Sequence, residues 1–427
     1  MSALSSPTGS FTIDSAPLPP FKVLIIGGSY AGLSAALNLQ DLCSGLAPRC
    51  GPAPVEGADP IERLQVAIDV TIVDERDGFY HLIGNPLALA SETYAEKTWI
   101  KYEDIPALRH NENVRVLHGS MQSLDVERRV ANFVARGSGT QAVDVSYDYL
   151  VAASGLRRVW PVVPQSLYRK QYLFEAGNHI RQVTTGRHGV VVVGGGAVGI
   201  EMAAELKLVH PDLKVTLVHS RDKLLSSEPL PDEVKEKALE LVKESGVEVV
   251  MQRRVEKMEE SQKETRIWLS GGEELVADQV IMAVSKSVPS TTYLPENVLD
   301  GEGYVRIQAN LAFPSDAQHT EDHFAVGDLV RWSGIKRCGG AMHMGYLAAN
   351  NIHQRMQQRL KGTEPTDLKL DEIPPMIGLA VGKKAVAYWP EAGTSSGEDV
   401  MKAFFGDDLG FTICWNHLGL GKTKENA

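Results

Sequence analysis

The sequence predicts an α/β protein built from two copies of one parallel-sheet unit, with a small α+β portion at the C-terminal end. Three observations predict it. A strand, a Gly-rich turn and a helix follow one another twice, near residues 21–39 and 190–209. The strand after each copy is alike, DVTIVDERD at 69–77 and KVTLVHSRD at 214–222. The opening strands are near-continuous apolar runs, as in parallel strands buried on both faces. A repeated unit of this size is far stronger evidence than one Gly-rich turn.

The elements follow in order. Phe21 to Ile26 (FKVLII) is the first strand, and Gly27-Gly28-Ser29-Tyr30-Ala31-Gly32 is the turn. The helix after it presents Leu33, Ala36, Leu37 and Leu39. Asp41 to Gln65 reads as a turn-rich insertion without a period, after which Ala67 to Val73 forms a strand ending at Asp74-Glu75-Arg76. Tyr149 to Ala153 is an apolar strand closed by Ser154 and Gly155. The second copy runs through Val190–Val193, the turn Gly194-Gly195-Gly196-Ala197-Val198-Gly199, a helix to Val209 and a strand from Lys214 to Val218. A helix from Pro231 to Ser245 and strands near 247–251, 265–269 and 279–284 complete that unit. His323 to Asp328 (HFAVGD) is another apolar strand, and a long helix follows it to about Leu360. Alternating apolar positions at Ile377, Leu379, Val381, Ala385, Ala387 and Trp389 predict a small sheet with a closing helix.

Composition narrows the function classes. The 427 residues are 43% apolar and 23% charged, as in globular proteins with sizeable cores. A net charge of −11 without a long basic run argues against a nucleic-acid surface. The four cysteines, Cys43, Cys50, Cys338 and Cys414, form no C-x-x-C pair or metal-ligand set. Cys43 and Cys50 are expected as free surface or loop thiols, in a reducing compartment. No apolar run approaches the ~18 residues of a membrane span. The first 20 residues, rich in Ser and Pro and without Lys or Arg, read as a disordered lead rather than a targeting signal, so the expected address is the cytoplasm.

The two turns carry the chemistry. In G-x-G-x-x-G the first Gly makes the tight turn, the second admits the phosphates and the third lets the helix pack against the strand. The helix N-terminus supplies positive potential for a pyrophosphate. Both copies sit in the required Rossmann-like strand–turn–helix setting. The first copy is Gly27, Ser29, Gly32, with Ser replacing the middle Gly, and Asp74 ends the next strand where a carboxylate accepts from a ribose diol. The second copy is intact: Gly194, Gly196, Gly199. In place of Asp74 it has His219, followed by Ser220 and Arg221, a set suited to a 2′-phosphate that leans toward NADPH over NADH. Asp328 is either a helix cap or a ligand for a sugar-like hydroxyl chain.

Two such units, the link YDYLVAASG and the late HFAVGD, in this order, resemble the two-dinucleotide-domain flavoprotein reductases over roughly residues 21–427. The resemblance implies FAD on the first unit and NAD(P)H on the second, and makes Asp328 a ligand of the FAD ribityl chain. Disulfide reductases of that superfamily carry a redox cysteine pair beside the flavin, and this chain carries no such pair. It is similar instead to the apoptosis-inducing-factor-like branch, which includes ferroptosis-suppressor-type quinone reductases, and more distantly to type II NADH dehydrogenases. Fungal members share GGSYAGL. DERDGFYHLIGNP resembles the branch's segment after the first acid and implies His81 near the flavin. GGGAVGIEMAAEL implies Glu201 beside the nicotinamide, and GIKRCGGAMHMG implies Lys336 close to the flavin. Each also has a plain alternative: a packing histidine, a first-turn helix acid, a surface lysine. AVSKSVPS departs from the family pattern at Ser285.

The expected cofactor contacts are Gly27, Gly28, Ser29, Tyr30, Ala31, Gly32, Asp74, Glu75, Arg76, Met121, Ser154, Gly155 and Asp328 for FAD. For the nicotinamide dinucleotide they are Gly194, Gly196, Ala197, Val198, Gly199, His219 and Arg221. Lys336, His81 and Glu201 are the catalytic candidates, and no metal is expected. The expected division is residues 21–155 with 290–365 for FAD, 156–289 for NAD(P)H and 366–427 as a C-terminal interface domain. The expected activity is hydride transfer from NAD(P)H to flavin and on to a quinone-like acceptor. A flavin-bound signalling protein, or a reductase of a redox protein or biosynthetic intermediate, is the alternative. A homodimer stays open, and so does peripheral membrane contact through Phe404 to Leu420, which is read first as a packed interface.

Overall fold

The computed structural model describes residues 19–51, 64–137, 139, 141–284 and 286–422. Most of the expected lead, the centre of the 41–65 insertion and Ser285 lie outside the described residues.

The first sheet has seven strands. Phe21–Ile26 sits near its middle, parallel to Ile68–Asp74 on one side and to Tyr149–Ala152 on the other. His323–Ala325 adds in parallel beyond Tyr149–Ala152. On the opposite flank Val114–Asp125 runs parallel to Ile68–Asp74, then turns antiparallel through Val130–Ala135 and Ala142–Ser146. The apolar run of the first strand is explained by burial on both faces: Val23, Leu24, Ile25 and Ile26 are each at most 3% exposed. The second sheet has four parallel strands, with Val190–Val193 between Val215–Val218 and Gln279–Met282 and Glu248–Val250 at its edge. A three-stranded antiparallel sheet (Val255–Glu260, Thr265–Leu269, Glu274–Ala277) lies within the same unit.

The chain crosses between units twice, and the crossings are tied together. Leu156–Arg157 pairs antiparallel with Val288–Pro289. Beside that pair the Ser154 hydroxyl donates to the Ser290 carbonyl at 2.7 Å and lies 2.9 Å from the Tyr293 hydroxyl. Ser154, expected at the flavin, is thus also a fastener of the joint.

Two helices fix the first unit. The helix Tyr30–Cys43 packs on the long helix Cys338–Lys361, and their backbones approach closely at Gly345, where a Cβ would lie 2.4 Å from the Ala31 carbonyl oxygen. The Ser34 hydroxyl donates to the Met342 carbonyl across the same seam. Cys43 is buried on this helix with its sulfur 3.9 Å from that of Met356, which corrects its expected place on the surface or in a loop: the helix takes in the first three residues of the expected insertion. Cys50 is half-buried.

The C-terminal portion is a three-stranded antiparallel sheet (Ile377–Val381, Lys384–Trp389, Gly393–Gly397) followed by two short helices, Glu398–Phe405 and Phe411–His417, where one was expected. Its sheet packs on the second unit's helices, and Ile377, Leu379, Val381 and Val386 join that core. Phe411, Cys414, Leu418 and Leu420 instead enter the core of the first unit. The C-terminal portion therefore spans both units and walls the space between them. None of its helices, and no other among the described residues, is long and apolar enough to cross a membrane.

Candidate functional site

The two Gly-rich turns adopt the same backbone. Gly27 and Gly194 have φ of +106° and +120°, which side chains with a Cβ rarely adopt. Five residues on, a Cβ at Gly32 would lie 1.8 Å from the Gly27 carbonyl oxygen, and one at Gly199 would lie 1.9 Å from that of Gly194. Each turn therefore closes onto the first turn of its helix, Tyr30–Cys43 or Ala197–Val209, whose leading N–H groups face outward.

The residue ending the next strand performs one task in both copies. Gly28 N–H donates to Asp74 Oδ2 at 2.6 Å, and Gly195 N–H donates to His219 Nδ1 at 3.0 Å. Asp74 also accepts from Arg76 N–H at 2.7 Å and keeps further lone pairs toward the open side. Burial pushes its carboxyl above the ordinary range, with those two N–H groups pulling against the shift. His219 is fully committed: its Nε2–H donates to the Lys223 carbonyl, 2.9 Å away. Burial lowers its pKa, so the ring is neutral near pH 7 and brings no positive charge to a phosphate. Arg221, two residues on, is exposed and makes no ion pair with another described residue.

Both turns open on one cavity of about 980 Å³. This is near the top of the ~300–1,000 Å³ range of small-molecule sites, as a pair of extended ligands requires. The first unit contributes Gly27, Ser29, Tyr30, Ala31, Asp74, Glu75, Arg76, Met121, Ser154, Gly155 and Asp328 to its wall, and the second contributes Gly196, Ala197, Val198 and Glu201. Gly28, Gly32, Gly194 and Gly199 shape the turns from behind rather than lining the space, and His219 and Arg221 lie outside it. The wall fits a flavin dinucleotide on observations of its own. Asp74 stands at the end of the strand with open lone pairs. The Nε atoms of Arg76 and Arg337, both in the wall, are buried without a partner.

The three catalytic candidates fall in different places. Glu201 lines the cavity from the second turn helix. Burial, with the Glu205 carboxyl one helical turn away, raises its pKa to about 8, while the Ala380 backbone N–H pulls the other way. Glu201 is therefore a neutral acid at pH 7. Lys336 lines the opposite wall. Its ammonium donates to the Val330 carbonyl at 2.9 Å, lies 5.0 Å over the Tyr304 ring and faces Asp328. Burial raises the Asp328 carboxyl and lowers the Lys336 ammonium, while each opposes the other's shift.

His81 is fully buried and does not line the cavity. Its Nε2–H donates to the Leu409 carbonyl at 3.0 Å, which leaves Nδ1 to accept from the Tyr30 hydroxyl at 3.1 Å. Burial lowers its pKa to about 4. The structure thus makes it a neutral positioning residue behind Tyr30.

Other wall residues carried no signal of their own in the sequence. Arg158 donates to Ser287 Oγ at 3.0 Å and faces Asp328 and Lys336. The Tyr102 hydroxyl donates to the Gly28 carbonyl at 2.8 Å and braces the first turn. No group of His, Cys, Asp and Glu able to hold a metal occurs among the described residues.

Residues 21–345 match the family of pyridine nucleotide-disulphide oxidoreductases. The chain belongs to that family. It is 48% identical to the oxidoreductase OXR1 of Ajellomyces capsulatus over 431 residues, covering 99% of this chain and 93% of that protein. It is 26% identical to human ferroptosis suppressor protein 1, over 85% of this chain and 91% of that one. Among solved structures, NDH2 of Plasmodium falciparum superposes with a TM-score of 0.66 at 12% identity, over 94% and 98% of the two chains. The NAD-dependent persulfide reductase of A. fulgidus gives 0.64 at 21%, over 90% of this chain and 65% of its own. At those identities the likeness is one of fold. The expected resemblance and the two-unit α/β fold are borne out, and the protein is an NAD(P)H-dependent flavin oxidoreductase.

Proposed function

We propose that the protein carries a hydride from NAD(P)H to FAD and passes the electrons on to a small apolar acceptor of the quinone type. The observation that carries this reading is the single cavity shared by both turns, together with the apolar part of its wall. The C-terminal portion contributes Trp389, Phe404, Phe405 and Ile413 to it, and Phe404 and Ile413 are left 40% and 43% exposed. An apolar ring that enters past them removes that surface from water, worth roughly 25 cal/mol per Å².

The chain's own residues divide the work. Gly27 through Gly32, with Asp74 and the N–H groups leading the first turn helix, hold the FAD pyrophosphate and ribose, and Gly194 through Gly199 hold the second pyrophosphate. Asp328 accepts from the ribityl chain. Glu201, held as a neutral acid, donates to the nicotinamide carboxamide and keeps a negative charge out of the path of the hydride. Lys336 would hold a positive charge beside a bound flavin, a preorganised contribution that needs no rearrangement during reaction. His81 holds Tyr30 by accepting from its hydroxyl. FAD supplies the two-electron chemistry itself. Arg221 favours NADPH, weakly because it is exposed. Ferroptosis suppressor protein 1, among the relatives, has the kind of likeness that supports this reading.

Rapid-mixing experiments with the reduced holoenzyme test the acceptor. A short-chain quinone should reoxidise it faster than a one-electron redox protein does, and Phe404→Ala should slow the quinone alone. Uniformly slow reoxidation by every acceptor, together with a stable protein partner, would favour the flavin-bound signalling alternative.

A further inference from the structure

Two cysteines 76 residues apart meet in the cavity wall. Cys338 and Cys414 have their sulfurs 3.9 Å apart, both line the cavity, and both are free thiols. Cys338 is the first residue of the 24-residue helix Cys338–Lys361, and Cys414 lies on the helix Phe411–His417 of the C-terminal portion. We propose that Cys338 and Cys414 form a redox-active dithiol, oxidised to a disulfide by a small peroxide admitted to the cavity and returned to the dithiol at the expense of NAD(P)H. The last step rests on the flavin function proposed above.

The geometry favours this use over simple packing. A disulfide bond is about 2.05 Å long, so the sulfurs must close by roughly 1.8 Å, within reach of side-chain rotation. Cys338 is accessible: Gly339 lines the cavity beside it, and a Cβ at Gly339 or Gly340 would meet nothing within 4 Å. Cys414 is 3% exposed, the more buried of the two. The two thiols are unequal. Either thiol can donate to the other, and the Gly339 N–H and the Arg337 charge lie beside Cys338. Cys338, at the head of its helix and the more exposed of the two, is the nucleophile, and Cys414 is the resolving thiol.

The chemistry balances. The Cys338 thiolate attacks one peroxide oxygen; an S–O bond forms, the O–O bond breaks, and the leaving oxygen takes the proton that Cys338 released. Cys414 then attacks the sulfenic sulfur; the S–S bond forms, the S–O bond breaks, and water leaves with the Cys414 proton. In sum, peroxide and dithiol give an alcohol or water, water and a disulfide. NAD(P)H and one proton return two electrons and two protons. No adjacent cysteine pair is needed, because the fold joins two remote ones.

The test uses the flavin-loaded full chain and hydrogen peroxide. Free thiols should fall by two from the four present, and non-reducing peptide mass mapping should find Cys338 joined to Cys414. Anaerobic NADPH should then restore both thiols. Cys50→Ser, at the more accessible thiol, should leave the cross-link unchanged. Cys414→Ser should abolish it and leave Cys338 oxidised as a sulfenic acid that a dimedone-type reagent labels. If Cys414→Ser fails to fold, the wild-type peptide map still decides. Loss of thiols through Cys50, or no Cys338–Cys414 link, would overturn the proposal. So would a link that persists after NADPH has bleached the flavin. If the flavin is not bleached at all, the flavin function fails instead, and the peptide map judges the cysteine pair separately.

Discussion

Replacing Glu205 by Gln probes the buried acid pair on the second turn helix. Glu205 is 1% exposed, and neither carboxylate oxygen has a hydrogen-bond partner. Burial raises its pKa to about 8, and the nearby Gly382 N–H opposes the shift without reaching bonding geometry. The folded state therefore holds a proton that the unfolded chain, with an ordinary glutamate near pH 4.3, has released. Because the folded pKa is raised, its contribution to stability is whole below about pH 4 and drains away as pH climbs to about 8. The slope is about 1.4 kcal/mol per pH unit. Between about pH 5.5 and pH 7.5 the wild type should lose about 2–3 kcal/mol through this group, a loss that the variant, with no proton to release, escapes. The amide brings its own unsatisfied polar atoms, a constant offset of about 1–3 kcal/mol. Denaturant unfolding of both proteins across that pH range, read as the difference between them, isolates the effect. A difference that stays flat with pH would refute the idea that this carboxyl is buried as a neutral acid.

Other expectations follow from the site. Gly32→Ala drives a methyl group into the Gly27 carbonyl and should leave the purified protein without flavin absorbance. Gly199→Ala, the matching change in the second turn, should keep the flavin but raise the NAD(P)H concentration needed for half-reduction by tenfold or more, in line with ~1–3 kcal/mol for overpacking. Arg221→Ala should raise KM for NADPH by about two- to fivefold, as expected for an exposed charge pair, and leave NADH unchanged. Equal effects on the two dinucleotides would remove Arg221 from the 2′-phosphate.

The parts legible in the sequence were those fixed locally. The strands Phe21–Ile26 and Val190–Val193 occur where expected because double burial writes itself as an unbroken apolar run. Glycine spacing located both turns, since Gly32 and Gly199 must lie against a carbonyl five residues back. The role of Asp74 was half legible: spacing placed it at the strand end, but its bond to Gly28 N–H, and the matching bond from Gly195 to His219, needed the folded turn. His219 read as a charge for phosphate because residue type was visible and its partners were not. The remainder depends on long-range contact. Ser154 meets Tyr293 across 139 residues, Cys338 meets Cys414 across 76, and Glu205 is buried by a C-terminal sheet that no pattern near it announces. The strands Val114–Asp125, Val130–Ala135 and Ala142–Ser146, half exposed at the flank, lack the apolar run that marked their neighbours.

Two dinucleotide cradles that open on one space make a direct demand. Purified protein should arrive yellow, and mixing it anaerobically with NADPH or NADH should bleach the flavin in a single turnover. Flavin that binds yet keeps its full colour with both dinucleotides in excess would contradict the shared cavity as the route for the hydride.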